Sequence, residues 1–209
     1  MELYEALGRI SEIRTQMVRT ETFRGFRSLT VGFSGFLGIA AAAVQAERIR
    51  RPTEQIWDYV DLWVGVALVS LIVVGAELLH RRFVVDSPLK RRLTVLTIQQ
   101  FAPCFVAGAA VTVIVAHFAQ ESVWMLPGLW AILFSMGVFA SVRLLPRSTF
   151  WVGLHYMVSG TICLVIGSSS HSPSPWMMVG TFGIGQLLAA GILYYALERS
   201  DEQLDAKSL

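Results

Sequence analysis

Residues 59–79 read YVDLWVGVALVSLIVVGAELL. In 21 positions the only ionisable groups are Tyr59, Asp61 and Glu77, near the two ends, and the middle is mostly β-branched and aliphatic with no proline or asparagine. A spanning helix needs about 20 mostly apolar residues. In hydrocarbon no water is present to satisfy backbone N–H and C=O groups, so such a run must pair them internally, as a helix does. The run does not alternate apolar and polar residues, which a membrane β-barrel strand would require.

Five more stretches have the same character. With residues 59–79 they make six expected spans, at 28–46, 59–79, 93–117, 123–143, 149–168 and 175–197. The composition of the whole chain agrees. Of 209 residues 54% are hydrophobic and only 15% charged, against roughly 25% charged in soluble domains. The expected fold is all-α: a polytopic membrane helix bundle of six transmembrane helices, preceded by an amphipathic N-terminal helix over 1–27. A short polar tail, 198–209, follows the bundle. The first 27 residues lack the short apolar core of a cleavable leader, so the first span is expected to act as an uncleaved signal-anchor.

Leu3, Leu7, Ile10, Ile13 and Met17 recur at steps of three and four, which places them on one side of a helix. Arg9, Arg14, Arg19, Arg24 and Arg27 make the segment basic. It can lie on anionic headgroups or pack on the protein's own loops. Glu5, Glu12 and Glu21 are interleaved with the arginines, which argues against a nucleic-acid surface.

Basic residues set the expected orientation, because cytoplasmic loops collect Lys and Arg. With both termini inside, fourteen of the seventeen fall on the cytoplasmic side and only Arg48, Arg50 and Arg51 outside. That predicts a multi-pass protein of the cell (inner) membrane with cytoplasmic N- and C-termini. Trp57, Tyr59, Trp63, Trp124 and Trp176 then gather at the outer ends, and Trp151, Tyr194 and Tyr195 near the inner ends, as interfacial belts.

Gly153, Gly160 and Gly167 recur every seven residues on the fifth span. Gly137 with Ser141, and Gly185 with Ala189, form small-xxx-small pairs. Such positions let helix backbones approach closely. Pro103 and Pro127 are expected to interrupt their spans. Cys104 and Cys163 fall inside apolar runs, where thiols act as small hydrophobes.

Polar groups inside a bilayer are costly and are candidates for function. By helical rise, Glu77, Gln99, Gln100, Arg143 and His155 fall at similar depth in the cytoplasmic half. Ser159 lies one turn above His155, and Gln186 could join from above. Together they are an expected polar layer, in which Glu77 and His155 would handle a proton or ion. A plainer arrangement competes: Glu77 pairs with Arg143 or Arg81 near the headgroups, and the amides tie helices together.

On the outer side His117, Glu121 and His171 offer two imidazoles and a carboxylate, a set that zinc accepts. Glu77 and His80 have the Glu-x-x-His step of bundle metal sites, without the further carboxylates such sites use. Asp58 and Asp61 fit helix capping at the outer mouth of the second span better than cation attraction.

No P-loop, dinucleotide fingerprint, Gly-x-Ser-x-Gly elbow, His-Glu-x-x-His or Cys-x-x-Cys occurs. No cofactor and no catalytic residue is predicted, and an enzyme ranks last among the readings. The expected function is a small transporter or channel-like subunit for an ion or small solute. The alternative is a membrane-embedded regulatory or scaffold subunit acting through residues 1–27. The expected partners are the lipid bilayer and a homo-oligomer or another membrane or cytoplasmic protein, with no nucleic acid.

Overall fold

The structure, a computed structural model, describes residues 28–84, 88–142 and 144–198. The side chains at 78, 80–84, 88–94, 197 and 198 are not among those described. The expected amphipathic helix over 1–27, Arg143 and the tail beyond residue 198 therefore lie outside the description, as do the side chains of His80 and Arg81.

Among the described residues every regular element is helical. They are α1 (Ser28–Arg48), α2 (Ile56–Val84), α3 (Pro88–Phe118), α4 (Leu126–Ser141) and α5 (Thr149–Ser170). The last span, α6, is composite. It runs as α-helix over Pro175–Met178, π-helix over Val179–Gly183, α-helix over Ile184–Leu193 and π-helix over Tyr194–Glu198. Among the described residues six helical stretches are long and apolar enough to cross a membrane: Ser28–Arg48, Ile56–Glu77, Val95–Phe118, Gln120–Ser141, Thr149–Ser170 and Pro175–Ala196. The chain is a multi-pass membrane helix bundle. Its expected spans hold to within a few residues at each end.

Two differences have plain causes. Pro127 does not break a helix. It lies in the first turn of α4, directly after the 3-10 turn Gln120–Met125, where a missing N–H costs nothing. Pro103, by contrast, does lie inside α3.

The belt expectation also needs correcting. Trp57 and Trp176 are exposed, but Tyr59 and Trp63 are buried in the bundle. Composition alone cannot show which way an aromatic faces, and α2 turns Trp63 toward Gln45 of α1 and Tyr59 toward Trp130 of α4 rather than toward lipid.

Consecutive helices pack side by side, α6 closes back onto α1, and α4 reaches α6 across the interior. One apolar cluster joins Ala41, Tyr59, Trp63, Val115, Leu126 and Met178 toward the Arg48 end of α1. A second joins Ala131, Val138, Val152 and Tyr156 with Phe101 and Phe134.

The tightest seam is α4–α5, and the seven-residue glycine repeat makes it. A Cβ on Gly160 would stand 2.9 Å from the Gly128 carbonyl oxygen, and one on Gly128 would stand 2.7 Å from that of Gly160. Gly153 is covered by Phe139 and Gly167 by Trp124. Backbones meet here because nothing stands between them.

Burial is uneven. Of the span in α2 only 17% is buried, and the same holds for α3, against 33–44% for the other four spans.

Candidate functional site

The sixth helix carries the chain's main irregularity. In the π-helical turn Val179–Gly183 the regular ladder is widened, and π-turns recur at functional sites. Side chains of α5 and α6 bond carbonyls in this turn and just before it. Thr181 Oγ1 donates to Met177 O at 2.8 Å. Cys163 Sγ approaches the same oxygen at 3.8 Å. His155 Nε2 lies 3.0 Å from Gly180 O. A carbonyl oxygen only accepts, so Nε2 carries the hydrogen, which in the uncharged ring leaves Nδ1 as an acceptor.

The expected polar layer does not assemble as one group. Glu77 Oε2 accepts the Thr30 hydroxyl across the α1–α2 seam. His155 faces Gly180 on the α5–α6 seam. Gln186 lies against α1, where a Cβ on Gly35 would be 3.2 Å from its own Cβ. Gln99 is exposed on the outer surface of α3, and Gln100 is half-buried with its Oε1 enclosed and unpartnered. Ser159 Oγ reaches the backbone oxygen of Tyr156 at 3.5 Å. Depth along a helix is legible from residue count, but which seam a side chain faces depends on how each helix is rotated in the bundle. Arg143 lies outside the described residues.

The outer set of potential ligands is separated too. The His117 ring meets Trp57 edge-on, with centroids 4.9 Å apart. Glu121 is exposed on the 3-10 turn. The His171 ring meets Trp124 at 5.8 Å. Its backbone ends α5 in the left-handed conformation, with φ 50°, and its N–H bonds Gly167 O at 2.8 Å. That is the C-terminal stop usually given to glycine or asparagine. Among the described residues no three His, Cys, Asp or Glu side chains come together in a way that could hold a metal ion.

Sequence reading missed Gln45. It is fully buried, and its amide bridges three parts of the chain. Trp63 Nε1 donates to Gln45 Oε1 at 2.9 Å, and Gln45 Nε2 donates to Pro173 O at 2.9 Å. Helices α1 and α2 and the loop between α5 and α6 are thus pinned at one point. A similar pair joins α3 to α4, where Trp130 Nε1 donates to Thr112 Oγ1 at 2.9 Å. The available signal was a glutamine at the end of an apolar run with a tryptophan on the next span, and it is weak without contact information.

A concavity lies on the outward face of α5 and α6. Trp151, His155, Ser159, Ile162 and Leu188 line an open groove of about 550 Å³. A second hollow, shared at Leu188, continues it toward Ser148 and Tyr195.

No family model, curated protein or solved structure matches the chain. Function must therefore be argued from the bundle itself.

Proposed function

We propose that the chain is a membrane-embedded regulatory or scaffold subunit that binds a partner within the bilayer and at the cytoplasmic surface. The observation that carries this reading is the bareness of α2 and α3, each only 17% buried within its span. An added Cβ on Gly65, Gly75 or Gly108 would meet nothing within 4 Å. In lipid, small residues on an open face allow a partner helix to approach closely. The basic segment 1–27 adds a cytoplasmic contact, and the placement of Lys and Arg supports both termini inside the cell membrane.

The test is copurification from detergent-solubilised membranes. Deleting residues 1–24 or introducing Gly75→Leu with Gly108→Leu should each lose the partner while the bundle stays folded. Full recovery of the partner with both variants ends this reading. Reporter tags at the two ends should give the same, cytoplasmic compartment.

A conduit for an ion or small solute is the second reading. It is favoured by the π-turn at Val179–Gly183, since broken helices mark substrate sites in transporters. It predicts that His155→Ala abolishes ion flux in proteoliposomes. The subunit reading predicts no flux to lose.

A further inference from the structure

We infer that the α5–α6 groove is a binding site for a neutral lipid bearing a single free hydroxyl, such as a diacylglycerol. The inference is independent of the subunit reading and needs only the bundle and its lipid-facing surface.

The groove is lined by the exposed apolar side chains of Trp151, Val158, Ile162 and Leu188, and it opens outward rather than into the bundle. Its volume, about 550 Å³, is in the range of small-molecule sites. What fills an apolar groove on the bilayer face is an acyl chain. The question is what the chain carries.

Besides the indole of Trp151, with its one N–H donor, two polar side chains line the groove, His155 and Ser159. His155 lies six residues beyond Thr149, the first residue of α5, which is about 9 Å along the helix. Its Nε2–H is committed to Gly180 O at 3.0 Å, so in the uncharged ring Nδ1 has a lone pair and no hydrogen to offer. Ser159 is held to Tyr156 O only at 3.5 Å, well beyond the 2.7–2.8 Å usual for O–H···O, so its hydroxyl can turn to another acceptor.

One acceptor and one loosely held donor, a turn apart, match a hydroxyl group. It donates to His155 Nδ1 and accepts from Ser159 Oγ. A plain hydrocarbon chain offers neither a donor to Nδ1 nor an acceptor to the Ser159 hydroxyl. A phosphodiester has only acceptors to set against that lone pair, and among the described residues no Lys or Arg lines either hollow to balance its charge.

The experiment uses the full chain in phosphatidylcholine nanodiscs with a diazirine-bearing diacylglycerol as the photoprobe. Labelling should saturate and map to residues 151–162 and 188. Unlabelled dioleoylglycerol should compete at least tenfold better than its O-methyl ether, which keeps the chains and loses the donated hydrogen. Leu188→Trp, on an outward-facing position, should fill the groove and cut labelling at least fivefold while thermal stability holds. Ser159→Ala, which removes the donor that the alcohol and ether oxygens both accept from, should weaken competition by both. Labelling that never saturates, that spreads evenly over α2 and α3, or that the ether blocks as well as the alcohol overturns the proposal.

Discussion

The side-chain amide of Gln45 bridges Trp63 Nε1 and the Pro173 carbonyl, each at 2.9 Å, with none of its own surface exposed. Residues 45 and 173 stand at the two ends of the bundle's sequence, yet this contact closes α6 back onto α1. Replacing Gln45 with Leu leaves an indole N–H and a carbonyl unpaired in a dry interior. At about 1–3 kcal/mol for each buried orphan, the variant should lose several kcal/mol. Thermal unfolding in detergent, followed by circular dichroism, measures this. An unchanged midpoint would remove Gln45 from the account of how the ring closes.

The α4–α5 seam makes a second, paired test. Gly160→Ala places a methyl 2.9 Å from the Gly128 carbonyl oxygen, against backbone that cannot swing away. Overpacking of this kind costs about 1–3 kcal/mol. Gly65→Ala adds the same methyl where nothing lies within 4 Å and removes a residue that disfavours helix by about 1 kcal/mol. The first variant should melt lower than the parent and the second equal or higher. The reverse order would mean the seam is not where the glycine repeat puts it.

His155 holds the Gly180 carbonyl of the π-turn. His155→Ala exposes that oxygen to an apolar surrounding and should cost about 1–3 kcal/mol. His155→Gln can still reach a carbonyl with an N–H and should recover part of the loss. Amide exchange across 179–183, read by mass spectrometry, should quicken in the Ala variant first. Equal exchange in all three proteins would show that the turn does not depend on this bond.

Thr30 donates to the Glu77 carboxylate across the α1–α2 seam. A carboxylate inside a membrane protein is expensive and depends on its donors. Thr30→Val should therefore weaken the α1–α2 contact by about 1.5–3 kcal/mol, the range for hydrogen bonds to charged groups. Glu77→Gln, which keeps an acceptor and drops the charge, should cost less than Thr30→Val. Protease susceptibility of the α1–α2 connection ranks the two.

Much of the architecture was legible because hydrocarbon imposes a simple rule. A long apolar run in lipid must be a helix of nearly fixed length, and residues 59–79 satisfy that rule before anything is known of their neighbours. The repeat of Gly153, Gly160 and Gly167 could also be read, since a seven-residue step returns to the same helix face. The candidate site was less legible. Residue count places Glu77, His155 and Gln186 at a depth but says nothing of azimuth, and the bundle turns them toward three different seams. Tyr59 and Trp63 look like interfacial aromatics by position and are core residues by rotation.

The sequence by itself determined that this protein spans the membrane six times with helices, because long apolar runs that do not alternate can pair their backbone in lipid only as helices. Only the tertiary structure decided which polar groups meet. It paired Thr30 with Glu77, His155 with Gly180 and Gln45 with Trp63 and Pro173. Those meetings depend on how each helix is rotated and tilted against the next, and such angles are set by the packing of all six helices at once.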